Sequence, residues 1–128
     1  MTDGRARDAA TRAFERVCAL RDVPPGSLLG VTLSDQSRVC LVSHGGAIHA
    51  VSDRCPHQQF PLSDGEVDAS GAVVCSWHGA AFDCRTGRAV RGPLRGGGKR
   101  EEPLGRVTVY EVQVTDDAVW VRPAPETF

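Results

Sequence analysis

Two short fragments, Cys55-Pro56-His57 and Cys75-Ser76-Trp77-His78, each set a thiol and an imidazole close enough to serve one metal centre from a single loop. Cysteine thiolates bind iron and zinc strongly, and imidazole suits both metals. Residues 58–74, seventeen in all, separate the two fragments. The Cys-x-His spacing is unusual for structural zinc, where Cys-x₂₋₄-Cys and His-x₃₋₅-His pairs are the norm. Cys18 and Cys40 fall in strand-like runs and read as small buried hydrophobes. Cys84 lies close to the second fragment and reads as packing. His44 sits in a glycine turn and His49 in a strand run, and both read as ordinary surface or satisfied histidines. Five cysteines is an odd number, and nothing points to export, so a disulfide scaffold is not expected.

The elements that would position these fragments are short and β-prone. Phe14 to Leu20 is stopped by Asp22-Val23-Pro24-Pro25-Gly26, a turn signal. Leu28 to Leu33 and Arg38 to Val42 are strand candidates parted by Ser34-Asp35-Gln36-Ser37. After the His44-Gly45-Gly46 turn, Ala47 to Val51 forms another. Glu66 to Asp68 and Ala72 to Cys75 flank Ala69-Ser70-Gly71 and read as a hairpin between the two metal-binding fragments. Such a hairpin would hold two ligand loops side by side as a clamp. Arg106 to Val114 alternates apolar and polar residues, and Thr115-Asp116-Asp117 turns it into Ala118 to Val121. This closing hairpin is expected to send Val107 and Val109 into the core. Many short strands at close spacing indicate an all-β sandwich or barrel.

Length and composition fit one globular domain: 128 residues, 41% hydrophobic and 24% charged. Fifteen Lys and Arg against sixteen Asp and Glu leave a net charge of −1. That balance argues for neither nucleic acid nor an anionic membrane surface as a partner. The polar N-terminal stretch lacks the apolar core of a secretory signal, and no segment approaches the ~18 apolar residues of a membrane span. A soluble, cytoplasmic protein, monomeric by default, is therefore expected.

Cys-x-His, a spacer and then Cys-x-x-His resembles the Rieske iron–sulfur proteins. Further similarity lies in Leu62-Ser63-Asp64-Gly65, in His78-Gly79-Ala80-Ala81-Phe82-Asp83 and in Thr86-Gly87-Arg88. Arg91-Gly92-Pro93 matches the proline-bearing third loop that covers the cluster in that family. The likeness spans about Phe14 to Arg122. It implies one Rieske-type [2Fe–2S] cluster, with Cys55 and Cys75 on one iron and His57 and His78 on the other. It also implies a Rieske fold: an antiparallel β-sandwich base of two sheets with a small cluster-binding subdomain inserted at about residues 53–93. The domain proper would run over 14–122, between a lead-in at 1–13 with at most one loose helical turn and a tail at 123–128.

The resemblance also bears on redox tuning. Replacing two thiolates by neutral imidazoles removes two negative charges, and potentials rise to roughly −150 to +300 mV. High-potential members of the family carry a loop-joining disulfide, where this chain has Phe60 and Trp77. They also place a Ser and a Tyr hydroxyl against the cluster and its cysteine, where this chain has Ala80 and Phe82. Without those hydrogen bonds the potential is expected at the low end, about −150 mV.

As an electron-transfer component with no substrate turnover of its own, the chain is expected to take single electrons from an NAD(P)H-dependent flavin reductase. It would pass them to a terminal, ring-hydroxylating oxygenase, since it has no room for a catalytic iron domain. Alternatives are the small subunit of an assimilatory nitrite reductase, or a donor to another monooxygenase such as a cytochrome P450. In a different class stands a zinc-stabilised interaction module. The basic run Arg85, Arg88, Arg91, Arg95, Lys99 and Arg100, with Gly96-Gly97-Gly98 inside it, reads as a solvated loop in its far half. Arg88 and Arg91 are expected to steer an acidic partner.

Overall fold

The computed structural model describes residues 14–56, 60–76, 79–94, 96–103 and 105–122. The lead-in 1–13 and the tail 123–128 lie outside the described residues, as do His57, Trp77, His78 and Arg95.

Among the described residues, ten strands form two antiparallel sheets. The larger contains β1 (Glu15–Ala19), β2 (Leu28–Thr32), β3 (Arg38–His44), β4 (Ala47–Ser52), β9 (Val109–Thr115) and β10 (Ala118–Arg122), in the order β1-β10-β9-β4-β3-β2. Its two edges are brought back together: Ser34, just beyond β2, donates from N–H and Oγ to the Glu15 carboxylate of β1 at 3.0 and 2.8 Å. The base is the expected pair of antiparallel sheets, β1-β10-β9 and β9-β4-β3-β2, made continuous because β9 belongs to both. It pairs with β10 along its length and with β4 through Ala50↔Tyr110 and Val51↔Val109. Asp116 and Asp117, both at positive φ, make the two-residue turn of the closing hairpin.

The smaller sheet, order β5-β6-β7-β8, is built from β5 (Glu66–Val67), β6 (Ala72–Val74), β7 (Ala81–Asp83) and β8 (Ala89–Arg91). It is inserted in the chain between β4 and β9. The Asp68 carboxylate shapes the β5–β6 turn by accepting from the N–H groups of Ser70 and Ala72 and the Ser70 hydroxyl. A bulge between Ala81 and Phe82 leaves Val90 of β8 outside the pairing, and it is exposed.

β3 explains how base and insertion join. Val39, Cys40, Leu41 and Val42 are all fully buried, because the strand is covered on both faces. Val39 and Leu41 point into the base core with Cys18, Val23, Leu33, Ala50, Val119 and Val121. Cys40 and Val42 face the inserted sheet, in a second core with Val51, Cys55, Leu62, Val73, Cys75, Phe82 and Cys84. A two-residue period sends alternate side chains to opposite faces, so an unbroken apolar run is what a doubly covered strand requires.

Val107 lies before β9 and is buried in that second core, with its N–H donating to Gly87 O at 2.8 Å. Val109, expected beside it in the core, is instead 39% exposed. β9 begins only at Val109, and Tyr110 and Val112 are the residues that pack on the base core. The inward phase therefore changes between Val107 and Tyr110, where the chain passes from one core to the other.

Candidate metal centre

The two candidate ligand fragments begin in loops whose described residues are of matching construction. The first follows β4, and the Cys55 N–H donates to Phe60 O at 2.8 Å, closing the loop five residues on. The second follows β6, and the Cys75 N–H donates to Ala80 O at 2.7 Å, again five residues on. Gly79, at φ +78°, tightens this second loop through its N–H to Cys75 O at 3.1 Å. Both cysteines are buried and belong to one apolar core with Leu62, Ala80 and Phe82. His57 and His78 fall outside the described residues, so only the cysteine half of the expected set can be located. Among the described residues no group of three or more His, Cys, Asp or Glu is placed to hold a metal ion.

The first loop is anchored by a residue that carries no sequence signal. Asp53, 5% exposed, accepts from Arg38 Nη2 at 3.0 Å, from Ser63 N–H at 2.7 Å and from Ser63 Oγ at 2.8 Å. Its carboxylate thereby ties β3 to the 3₁₀ turn Leu62–Asp64 on the far side of the loop. Gly30 leaves space for this group, since a Cβ there would meet Arg38, Ser63 and Asp53 within 2.8 Å.

The second loop is braced from outside by arginines. Arg91 Nε donates to Gly79 O at 3.2 Å, and Arg100 Nη1 reaches Gly79 O at 3.4 Å and Gly92 O at 3.1 Å. The Gly-rich arm returns on itself to bring Arg100 there. Leu94 bridges to Arg100, and the Glu101 N–H donates to Pro93 O at 2.9 Å. Gly92 is required where the returning chain passes, because a Cβ would collide with the Glu101 carbonyl. The far half of the basic segment is therefore more than a solvated loop, and Arg91 is engaged with the protein's own backbone.

Burial raises the pKa of each of the three remaining thiols. Desolvation, reinforced by the Asp53 carboxylate, pushes the Cys40 thiol far up, and desolvation with the Asp83 carboxylate raises Cys84. Burial also raises Cys18. All three read from sequence as packing residues, and all three are buried.

Two buried thiols at the heads of twin loops suit iron or zinc, and the expected histidines two and three residues further along suit an iron–sulfur centre with mixed ligands. The chain matches the Rieske [2Fe-2S] domain over residues 13–114 and belongs to that family. It therefore carries one Rieske-type [2Fe–2S] cluster, the cofactor of a one-electron carrier.

Among curated relatives, the 3-phenylpropionate/cinnamic acid dioxygenase ferredoxin subunit of Escherichia coli (strain K12) is 31% identical over 104 residues, covering 81% of this chain and 88% of that protein. A 4beta-methylsterol monooxygenase of Methylococcus capsulatus is 40% identical over 79 residues, 61% of this chain. The chain spans only 21% of that longer protein. Among solved structures, the ferredoxin of carbazole 1,9a-dioxygenase from Nocardioides aromaticivorans superposes with TM-score 0.72 at 27% identity, covering 88% of this chain and 99% of that one. A complex of reduced oxygenase and oxidized ferredoxin in carbazole 1,9a-dioxygenase matches with TM-score 0.68 at 28% identity, covering 90% and 97%. A chain described as the small subunit of an NADH-dependent nitrite reductase from Mycobacterium tuberculosis matches with TM-score 0.73 at 25% identity, covering 88% and 96%.

Proposed function

We propose that Cys55, His57, Cys75 and His78 hold the cluster, and that the chain is a ferredoxin linking a flavin-dependent, NAD(P)H-oxidising reductase to a terminal, ring-hydroxylating oxygenase. The observation that carries this reading is the pair of matched loops, each headed by a buried cysteine in one shared core. When bound, the cluster supplies reversible one-electron storage. The protein's own residues keep water from the thiolates and hold the two loops in register through Asp53 and Arg91. On this reading the chain is an electron-transfer component with no substrate turnover of its own, as the ferredoxin subunits it resembles suggest. It is read as a soluble, cytoplasmic monomer with neither nucleic acid nor membrane as partner; among the described residues no helix is long and apolar enough to cross a membrane.

The ferredoxin subunits with which the chain shares most of its length support the oxygenase role. The likeness to a nitrite reductase small subunit supports a second reading, in which the chain is a fixed subunit of a reductase. Complementation separates them. The purified holoprotein is added to the reductase and oxygenase of the 3-phenylpropionate dioxygenase system lacking their own ferredoxin. Restored NADH-dependent hydroxylation is expected. A protein that accepts one electron per chain yet drives no oxygenase, and instead copurifies with a nitrite reductase large subunit, would overturn the reading.

A further inference from the structure

The arginines around the second and third loops fall into two groups. Arg85 pairs with Asp83 and donates to Ser70 O, while Arg91 and Arg100 are engaged with the carbonyls of Gly79 and Gly92. Arg88 and Arg106 are different. They face each other across an isolated antiparallel bridge, both exposed, and neither side chain has an ion-pair partner among the described residues. Like charges placed directly opposite each other on paired strands are destabilising, so this arrangement costs the isolated chain something. The two line a groove of about 530 Å³ together with Ala89, Pro103 and Gly105. The groove adjoins the first metal-binding loop, since a Cβ on Gly105 would stand 3.7 Å from the Pro56 ring. Pro56 lies between Cys55 and His57.

We propose that the Arg88–Arg106 groove is the docking site for a carboxylate side chain on the redox protein that exchanges electrons with this chain. The proposal rests on the ferredoxin reading above and adds the surface and the charge of the partner. Two arginines opposite each other across the bridge and lining one groove offer two forked donor groups, and an incoming carboxylate offsets the like charges placed there. Gly105, which lines the groove and lies against Pro56, directly precedes Arg106, so the groove borders the loop that carries Cys55. Arg88 thus does what the sequence assigned to Arg88 and Arg91 together, and Arg106, outside the basic run, takes the second part.

The test uses the reduced holoprotein and two acceptors of opposite charge, the acidic haem protein cytochrome b5 and the cation hexaammineruthenium(III), followed by stopped-flow absorbance. The double variant Arg88→Gln, Arg106→Gln is compared with wild type and with Arg21→Gln, an exposed arginine on the base. At about 0.01 M salt the double variant is expected to reduce cytochrome b5 about tenfold more slowly than wild type, and the difference should close near 1 M salt. Reduction of the cation should be unchanged or faster, and Arg21→Gln should match wild type throughout. Equal cytochrome b5 rates at low salt, or an equal slowing toward both acceptors, would overturn the proposal. In either case a wild-type protein that still transfers its electron leaves the ferredoxin reading intact. One that transfers none to any acceptor removes that reading as well.

Discussion

The Nε of Arg91 donates to the carbonyl oxygen of Gly79 across 3.2 Å, so the third loop grips the loop that follows Cys75 from outside. Gly79 directly follows the proposed ligand His78, and its carbonyl also receives Arg100. Arg91→Ala should remove a charge-assisted hydrogen bond worth about 1–2 kcal/mol. The expected outcome is faster cluster loss on mild heating, read as bleaching of the visible spectrum, with Arg91→Lys intermediate because it keeps the charge but loses the fork. Identical bleaching rates for Arg91→Ala and wild type would show that the brace is dispensable.

Asp53 is the corresponding anchor of the first loop. Asp53→Ala deletes three hydrogen bonds in a buried setting and leaves the Ser63 N–H unsatisfied. A destabilisation of about 3 kcal/mol is expected. Urea unfolding followed by far-ultraviolet circular dichroism, together with iron content per chain, checks it. Arg38→Ala should also destabilise, since it leaves the Asp53 carboxylate, whose side chain is fully buried, without its counter-charge.

Ala80 and Phe82, both buried in the core that holds Cys55 and Cys75, offer no hydroxyl to the centre. A wild-type midpoint near the low end of the Rieske range, about −150 mV, follows. Ala80→Ser and Phe82→Tyr should each raise it by an amount on the order of tens of millivolts, because a hydroxyl donated to sulfur stabilises the more negative reduced state. Spectroelectrochemical titration of the three proteins decides the matter. A clearly positive wild-type midpoint would contradict the assignment of low potential to these two residues.

His49 provides a pH test away from the centre. Burial, with further opposition from Arg85 and His44 and only partial relief from Asp83, holds its pKa below the ordinary 6.5. The unfolded chain then binds more protons than the folded one below that value. The neutral imidazole's contribution to stability is thus fully present above pH 6.5 and is lost as the pH falls from there toward the depressed folded pKa. The melting temperature of wild type minus that of His49→Gln, measured from about pH 8 to about pH 5, should fall through this window. A difference that stays flat would show that His49 titrates alike in both states.

Much of this architecture can be read in the sequence where local pattern and tertiary structure agree. The runs at Phe14, Leu28, Arg38, Ala47 and Ala118 became β1, β2, β3, β4 and β10 because each is a β-prone stretch of five or more residues bordered by turn residues. The strands β7 and β8 could not be seen, since Ala81-Phe82-Asp83 and Ala89-Val90-Arg91 are three residues each and carry no period; pairing with β6 makes them strands. Val109 misled for a related reason, because alternation from Arg106 to Val114 gives no hint that the inward phase changes where β9 leaves one core for the other. The cysteine fragments were legible through their spacing. Asp53, Arg100 and Arg106 were not, because their roles depend on loops that meet only in three dimensions.

The most direct measurement is pulsed electron paramagnetic resonance of the chemically reduced protein, with and without ¹⁵N-labelled histidine. A rhombic signal of low average g, coupled to two histidine nitrogens whose couplings change on labelling, is the expected result for a centre held by Cys55, His57, Cys75 and His78. A silent, colourless protein that contains zinc, or a signal with no histidine coupling, would contradict it.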